Sequence, residues 1–160
     1  MYLMSNRDNI INKNPFKNQY NNNCHLFLHI RLTDAKNFNV GLQYYLSCID
    51  TIEHDKIYIG SDDFNHYIIK QIMIKYPNAI LFRDTPIKTI QFSSTCKNIV
   101  LSHGSFSAVI GYLAFFSNVY YPDCNPGWCP LGMFLDKKWN PVDVVDRGYF
   151  KPHAVDIGCT

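Results

Sequence analysis

The stretch Ile99-Val-Leu-Ser-His-Gly-Ser-Phe-Ser-Ala-Val-Ile-Gly-Tyr-Leu-Ala-Phe-Phe116 decides the fold. Asn98 to Ser102 has the short apolar run of a strand covered on both faces. His103 to Ser107 is small and polar, and Gly104 can take backbone angles closed to other residues. From Ala108 the spacing of Val109, Ile110, Leu113 and Phe116 predicts a helix buried over much of its surface. A strand that feeds a helix through Gly and Ser leaves backbone N–H groups and the Ser105 and Ser107 hydroxyls at a helix N-terminus, where anions bind. The plainer reading of the same residues is a well-capped helix.

Upstream, the pattern repeats. His25-Leu-Phe-Leu-His-Ile30 reads as a central strand ending in the polar turn Arg31-Leu-Thr-Asp34. Leu42, Tyr45, Leu46 and Ile49 mark one face of a helix between Val40 and Glu53. Lys56-Ile-Tyr-Ile-Gly60 is a second strand, and Asp62 or Asp63 is placed to cap a helix running from about Phe64 to Lys75. Ala79 to Phe82 is a third, short strand, and Ile87 to Cys96 a short helical or irregular segment. Downstream, Asn118 to Tyr121 is a fifth strand that stops at Pro122. This alternation predicts an α/β fold: a parallel sheet of about five strands with helices on both faces. In such sheets ligands bind outside the carboxyl ends of the strands. Three polar clusters fall there: His29 to Asp34, Gly60 to Asp63, and Ser102 to Ser107.

The ends of the chain read differently. Residues 1–23 are rich in Asn and Lys without a period, and are expected to form a flexible arm. Residues 123–160 contain the turn-forming runs Asn125 to Pro130 and Trp139 to Val142, and are expected to form an irregular extension. Trp128, Phe134, Trp139 and Tyr149 would pack it onto the domain, with a short helix near Leu131 to Leu135.

The totals narrow the function classes. The chain has 160 residues, 47% of them hydrophobic, and a formal charge of +2. It supports one domain with a real core. The charge is too small to imply a nucleic-acid or membrane partner. No run of about 18 apolar residues and no signal-peptide core is present, so a cytoplasmic protein with reduced cysteines is expected. Cys24, Cys48 and Cys96 read as small core residues, and only Cys124 and Cys129 lie close together, without a second pair at zinc-ligand spacing. No metal site is expected. Adjacent Asp62 and Asp63 fit helix capping better than metal binding, because no further acidic ligand lies nearby.

The chemistry of the three clusters is that of anion binding. Arg31 offers a planar fork suited to phosphate oxygens, and Asp34 can hold it in place or cap the following helix. The alternative is an ordinary Arg–Asp pair. His29 and Arg31 share one face if the strand persists that far. His103 could act as a base or simply hydrogen-bond. Gly104-Ser-Phe-Ser-Ala108 lacks the Gly-x-Ser-x-Gly form of a nucleophile elbow, because Phe106 holds the central position, and a hydrolase is a poor fit.

These same residues carry a resemblance. His29-Ile-Arg-Leu-Thr-Asp34 resembles the His-x-Arg-Arg-x-Asp motif of the α-1,2-, α-1,6- and protein-O-fucosyltransferases. Ile57-Tyr-Ile-Gly-Ser-Asp-Asp63 is similar to their second element, and Ile99 to Ser107 to their third. The elements occur in the family's order over residues 24–122. The second Arg of the first motif is Leu32 here, and Ile87 to Gln91 lacks the carboxylate that many members use to read guanine. No convincing general base stands after the first motif, where this chain has Phe38-Asn-Val-Gly41. The resemblance implies a Rossmann-like nucleotide-sugar-binding domain, one half of a GT-B glycosyltransferase. It implies a GDP-fucose donor, inversion at the anomeric carbon, a glycan hydroxyl as acceptor and no metal cofactor. Arg31 would neutralise the departing diphosphate, and His29 would sit near base or ribose. Ser105, Phe106 and Ser107 would hold phosphate at the helix N-terminus. Asp34, Asp62, Asp63, His103 and Gly104 would complete the substrate site. The acceptor half would come from a second polypeptide or a second copy of the chain. The other expectation is a degenerate, non-catalytic phosphate-binding module or an interaction domain.

Overall fold

The computed structural model describes residues 5–33, 39–123 and 139–144. Leu26–Ile30 is buried at every position and forms the central strand, β1. Around it lie β2 (Ile57–Ser61), β3 (Ile80–Leu81), β4 (Asn98–Val100), β5 (Asn118–Asp123) and β6 (Asn140–Asp143). They form one sheet in the order β3-β2-β1-β4-β5-β6, with every pairing parallel. The helices are α1 (Arg7–Lys13), α2 (Leu42–Thr51), α3 (Tyr67–Lys75), α4 (Pro86–Ser93) and α5 (Ser105–Leu113). This is a Rossmann-like α/β fold, and its strand order reverses between β1 and β4.

Strand alternation divides the core into two layers. Leu26, Leu28 and Ile30 point to the face covered by Tyr44, Tyr45 and Ile49 of α2 and by Ile68, Ile69 and Ile72 of α3. Phe27, Ile99 and Leu101 point to the other, where Phe92 of α4 and Ala108 and Ile110 of α5 close over them. Phe92 organises that second layer, stacked on Phe82 at 4.5 Å and edge-on to Phe27 and Tyr58.

Several local expectations are corrected. Residues 5–23 of the expected flexible arm carry α1 and a 3-10 turn at Lys17–Gln19. The side chains hold it: Asn14 Nδ2 donates to the Gln91 carbonyl (2.9 Å), Asn23 Nδ2 to the Thr95 carbonyl (2.9 Å), and Phe16 packs edge-on against Phe92. The expected irregular extension contributes β6, so the sheet has six strands. Pro122 does not end β5, which runs on to Asp123 in register with β6. Pro141 is tolerated because β6 is an edge strand. Trp139 packs β6 down as expected, against Tyr112 and Tyr121. The positions expected for Trp128, Phe134, Tyr149, Cys124, Cys129 and the helix near Leu131 lie outside the described residues.

Helix starts also differ. α5 begins at Ser105, three residues before the apolar run, so Ser105 to Ser107 form its first turn. Val109 is 40% exposed rather than buried. Neither Asp62 nor Asp63 caps α3; His66 does, its Nδ1 accepting from the Ile68 amide at 3.3 Å. Cys48 and Cys96 are buried, but Cys24 is exposed, two residues ahead of the start of β1. Among the described residues no helix is long and apolar enough to cross a membrane.

Candidate functional site

The switch point between β1 and β4 gathers most of the polar residues singled out in the sequence. His29 leaves β1 on the α5 side and is 6% exposed. Its Nδ1 meets Ser107 Oγ at 2.5 Å, and its ring lies 5.0 Å from that of Phe106. The same Ser107 oxygen accepts from the Ser102 amide at 3.0 Å. Ser107 therefore bonds the ends of β1 and β4 to the first turn of α5. Burial pushes the His29 pKa down to about 4; Arg31 and His103 add to this and Asp62 opposes it. The ring is thus neutral at pH 7. With Ser107 donating to Nδ1, its proton sits on Nε2, an assignment made from the hydrogen-bond network.

Arg31, half-buried, follows β1 directly. Asp62 fixes the turn behind it. Its carboxylate accepts from the Leu32 amide (2.7 Å), the Thr33 amide (3.1 Å) and the Thr33 hydroxyl (2.6 Å). Burial raises the Asp62 pKa, but the hydrogen bonds from Thr33 and Leu32 outweigh it and hold the carboxyl below its ordinary value. Asp62 is thus a brace between the end of β2 and the turn that carries Arg31.

Across the switch point, Ser102 and His103 are buried, with Ser102 Oγ 3.3 Å from His103 Nδ1. Gly104 has φ 94 and ψ 169 and stands at the N-cap of α5. A side chain is strained at that φ. The first helical bond runs from the Ala108 amide to the Gly104 carbonyl at 3.2 Å. The amides of Ser105, Phe106 and Ser107 therefore lie at the open end of the helix, where partial positive charge accumulates. Gly41, at φ 83, plays the same part at the start of α2, on the same edge of the sheet.

His29, Arg31, Asp62, His103, Gly104, Ser105, Phe106 and Ser107 thus share one sheet edge. Asp63 does not join them: its carboxylate accepts from the Asn65 amide at 2.9 Å, within its own turn. Asp34 lies outside the described residues. Sequence reading missed Thr33 and Gly41. A glycine just ahead of the apolar period of α2 was the available signal for the second. Among the described residues, no group of three or more His, Cys, Asp or Glu is arranged to hold a metal ion. A cavity of about 420 Å³ lies away from this cluster, at the opposite edge of the sheet, lined by Ile57, Tyr76 and Ile80. The cluster is the candidate site, because ligands of such sheets bind at the carboxyl edge of the strands.

No protein-family model matches the chain, and no curated protein is significantly similar to it. What the fold defines is a class, the Rossmann-like α/β domains.

Proposed function

We propose that the chain binds a nucleoside-diphosphate sugar, GDP-linked, at the β1/β4 switch point. In this reading it serves as the donor half of an inverting, fucosyltransferase-like glycosyltransferase acting on a glycan hydroxyl. One observation carries the reading: the Arg31 turn, braced by Asp62, stands beside the open N-terminus of α5 at the point where strand order reverses. A guanidinium and a ring of backbone amides suit the two phosphates of such a donor. In transfer, the acceptor oxygen bonds to the anomeric carbon as the bond from that carbon to the diphosphate oxygen breaks. The electron pair departs with the diphosphate, and Arg31 and the α5 amides stabilise that growing charge. The acceptor proton needs a base.

A second reading, a non-catalytic nucleotide-binding module, is favoured by one feature. Neither His29 nor Asp62 is suited to act as that base. His29, with a pKa near 4, is a weak base whose Nδ1 is engaged by Ser107. Asp62 is committed to three hydrogen bonds.

Calorimetric titration with GDP, UDP and ADP tests binding. GDP should bind, and Arg31→Ala should weaken it by about 1.5–3 kcal/mol, the value of a charged hydrogen bond. No binding by any of the three removes the proposal. Release of fucose from GDP-fucose in the presence of glycan acceptors then separates enzyme from module.

A further inference from the structure

Phe64 and Arg83 lie on the loops that leave the carboxyl ends of β2 and β3, and the Arg83 guanidinium lies 4.3 Å from the Phe64 ring centroid, over its face. We propose that this pair is the nucleobase subsite, and that Arg83 selects a base edge carrying two hydrogen-bond acceptors, as guanine does. The inference rests on the nucleoside-diphosphate reading and adds where the base lies and which residue chooses it.

Placement is the first support. β2 and β3 continue the sheet from β1, on the side away from β4. At about 4.8 Å per strand, the end of β3 stands roughly 10 Å from the end of β1. An extended nucleoside diphosphate with its phosphates at Arg31 and α5 reaches that far along the sheet edge. Asp62, the brace of the Arg31 turn, is two residues from Phe64, so the diphosphate and base subsites are joined through one short loop.

Availability is the second. Arg83 is exposed, and among the described residues no hydrogen bond or ion pair engages its guanidinium. The neighbouring Asp84 lies 3.8 Å from Lys88 Nζ instead. The aromatic ring holds one face of the guanidinium and leaves the N–H edges for a ligand. Those edges match the O6 and N7 acceptors of guanine, whereas adenine presents an acceptor beside a donor, a pattern that suits Gln. The sheet edge thus offers a cation where a reading carboxylate is lacking between Ile87 and Gln91.

The test is calorimetry on wild type, Arg83→Gln and Phe64→Leu with GDP, ADP and inorganic pyrophosphate. Both substitutions are away from the buried core, and circular dichroism verifies folding. Arg83→Gln should weaken GDP about tenfold while ADP is kept or tightened, so that the preference falls or reverses. Phe64→Leu should weaken both nucleotides alike, and pyrophosphate should be indifferent to either change. If GDP and pyrophosphate bind wild type but Arg83→Gln leaves the GDP-to-ADP ratio unaltered, the subsite is overturned while the diphosphate reading stands. If neither nucleotides nor pyrophosphate bind wild type, both fall.

Discussion

Replacing Asp62 by Ala removes the acceptor of three hydrogen bonds that tie the Arg31 turn to β2. A hydrogen bond to a charged group contributes about 1.5–3 kcal/mol. Asp62 is largely exposed, so water competes for each bond and the set is worth about 2 kcal/mol rather than its sum. The carboxyl pKa is depressed in the folded chain, with the Thr33 and Leu32 donors overcoming the cost of burial. A depressed carboxylate stabilises the fold above its unfolded pKa, about 3.9, and that contribution is lost as pH falls through the lower folded value. Urea unfolding followed by circular dichroism should therefore show Asp62→Ala less stable by about 2 kcal/mol at pH 7, with the gap narrowing below about pH 4. The variant should also bind GDP about tenfold more weakly, because the Arg31 fork is no longer held in place. Equal stability of the two proteins at pH 7, or a gap that acid does not narrow, would refute the bracing role.

Other consequences follow from the same geometry. Ser107→Ala leaves the buried Ser102 amide and His29 Nδ1 without their shared partner and should cost about 2–3 kcal/mol in urea unfolding; a loss within ordinary surface-mutation scatter would count against the junction. His29 has a folded pKa near 4 against 6.5 for the free side chain, so the unfolded chain takes up the proton first as pH falls. The stability it contributes is present above about pH 6.5 and is lost between there and pH 4, by roughly 3 kcal/mol. His29→Gln should flatten that limb of the stability–pH curve. A Cβ at Gly111 would lie 2.5 Å from Trp139 Cζ2. Gly111→Ala should displace Trp139, shift tryptophan emission to the red and cost about 1–3 kcal/mol; unchanged emission would show that β6 is anchored otherwise.

The sheet was legible because its strands are short apolar runs flanked by polar turns, and β1 through β5 follow that pattern closely. β6 was not, since Asn140-Pro-Val-Asp143 carries three residues that disfavour strands and is held by Trp139 and a neighbouring strand rather than by propensity. The arm was misread for a related reason. Its Asn-rich composition suggests disorder, yet Asn14 and Asn23 use those amides to reach carbonyls of the Gln91–Thr95 region, contacts no local pattern reveals. At the site, residue types were readable but roles were not. Asp62 looked like a helix cap because it precedes a helix, and the tertiary approach of the Leu32–Thr33 turn gave it another task. Phe64 and Arg83 lie 19 positions apart in the sequence, and only the parallel pairing of β2 with β3 brings them together.

Amide chemical-shift mapping on addition of GDP locates the phosphate site. The largest changes should fall at the amides of Leu32, Thr33 and Gly104 to Ser107, with smaller ones at Phe64 and Arg83. Changes confined to the opposite edge, around Lys56, Lys75 and Ile80, or none at all, would contradict that location.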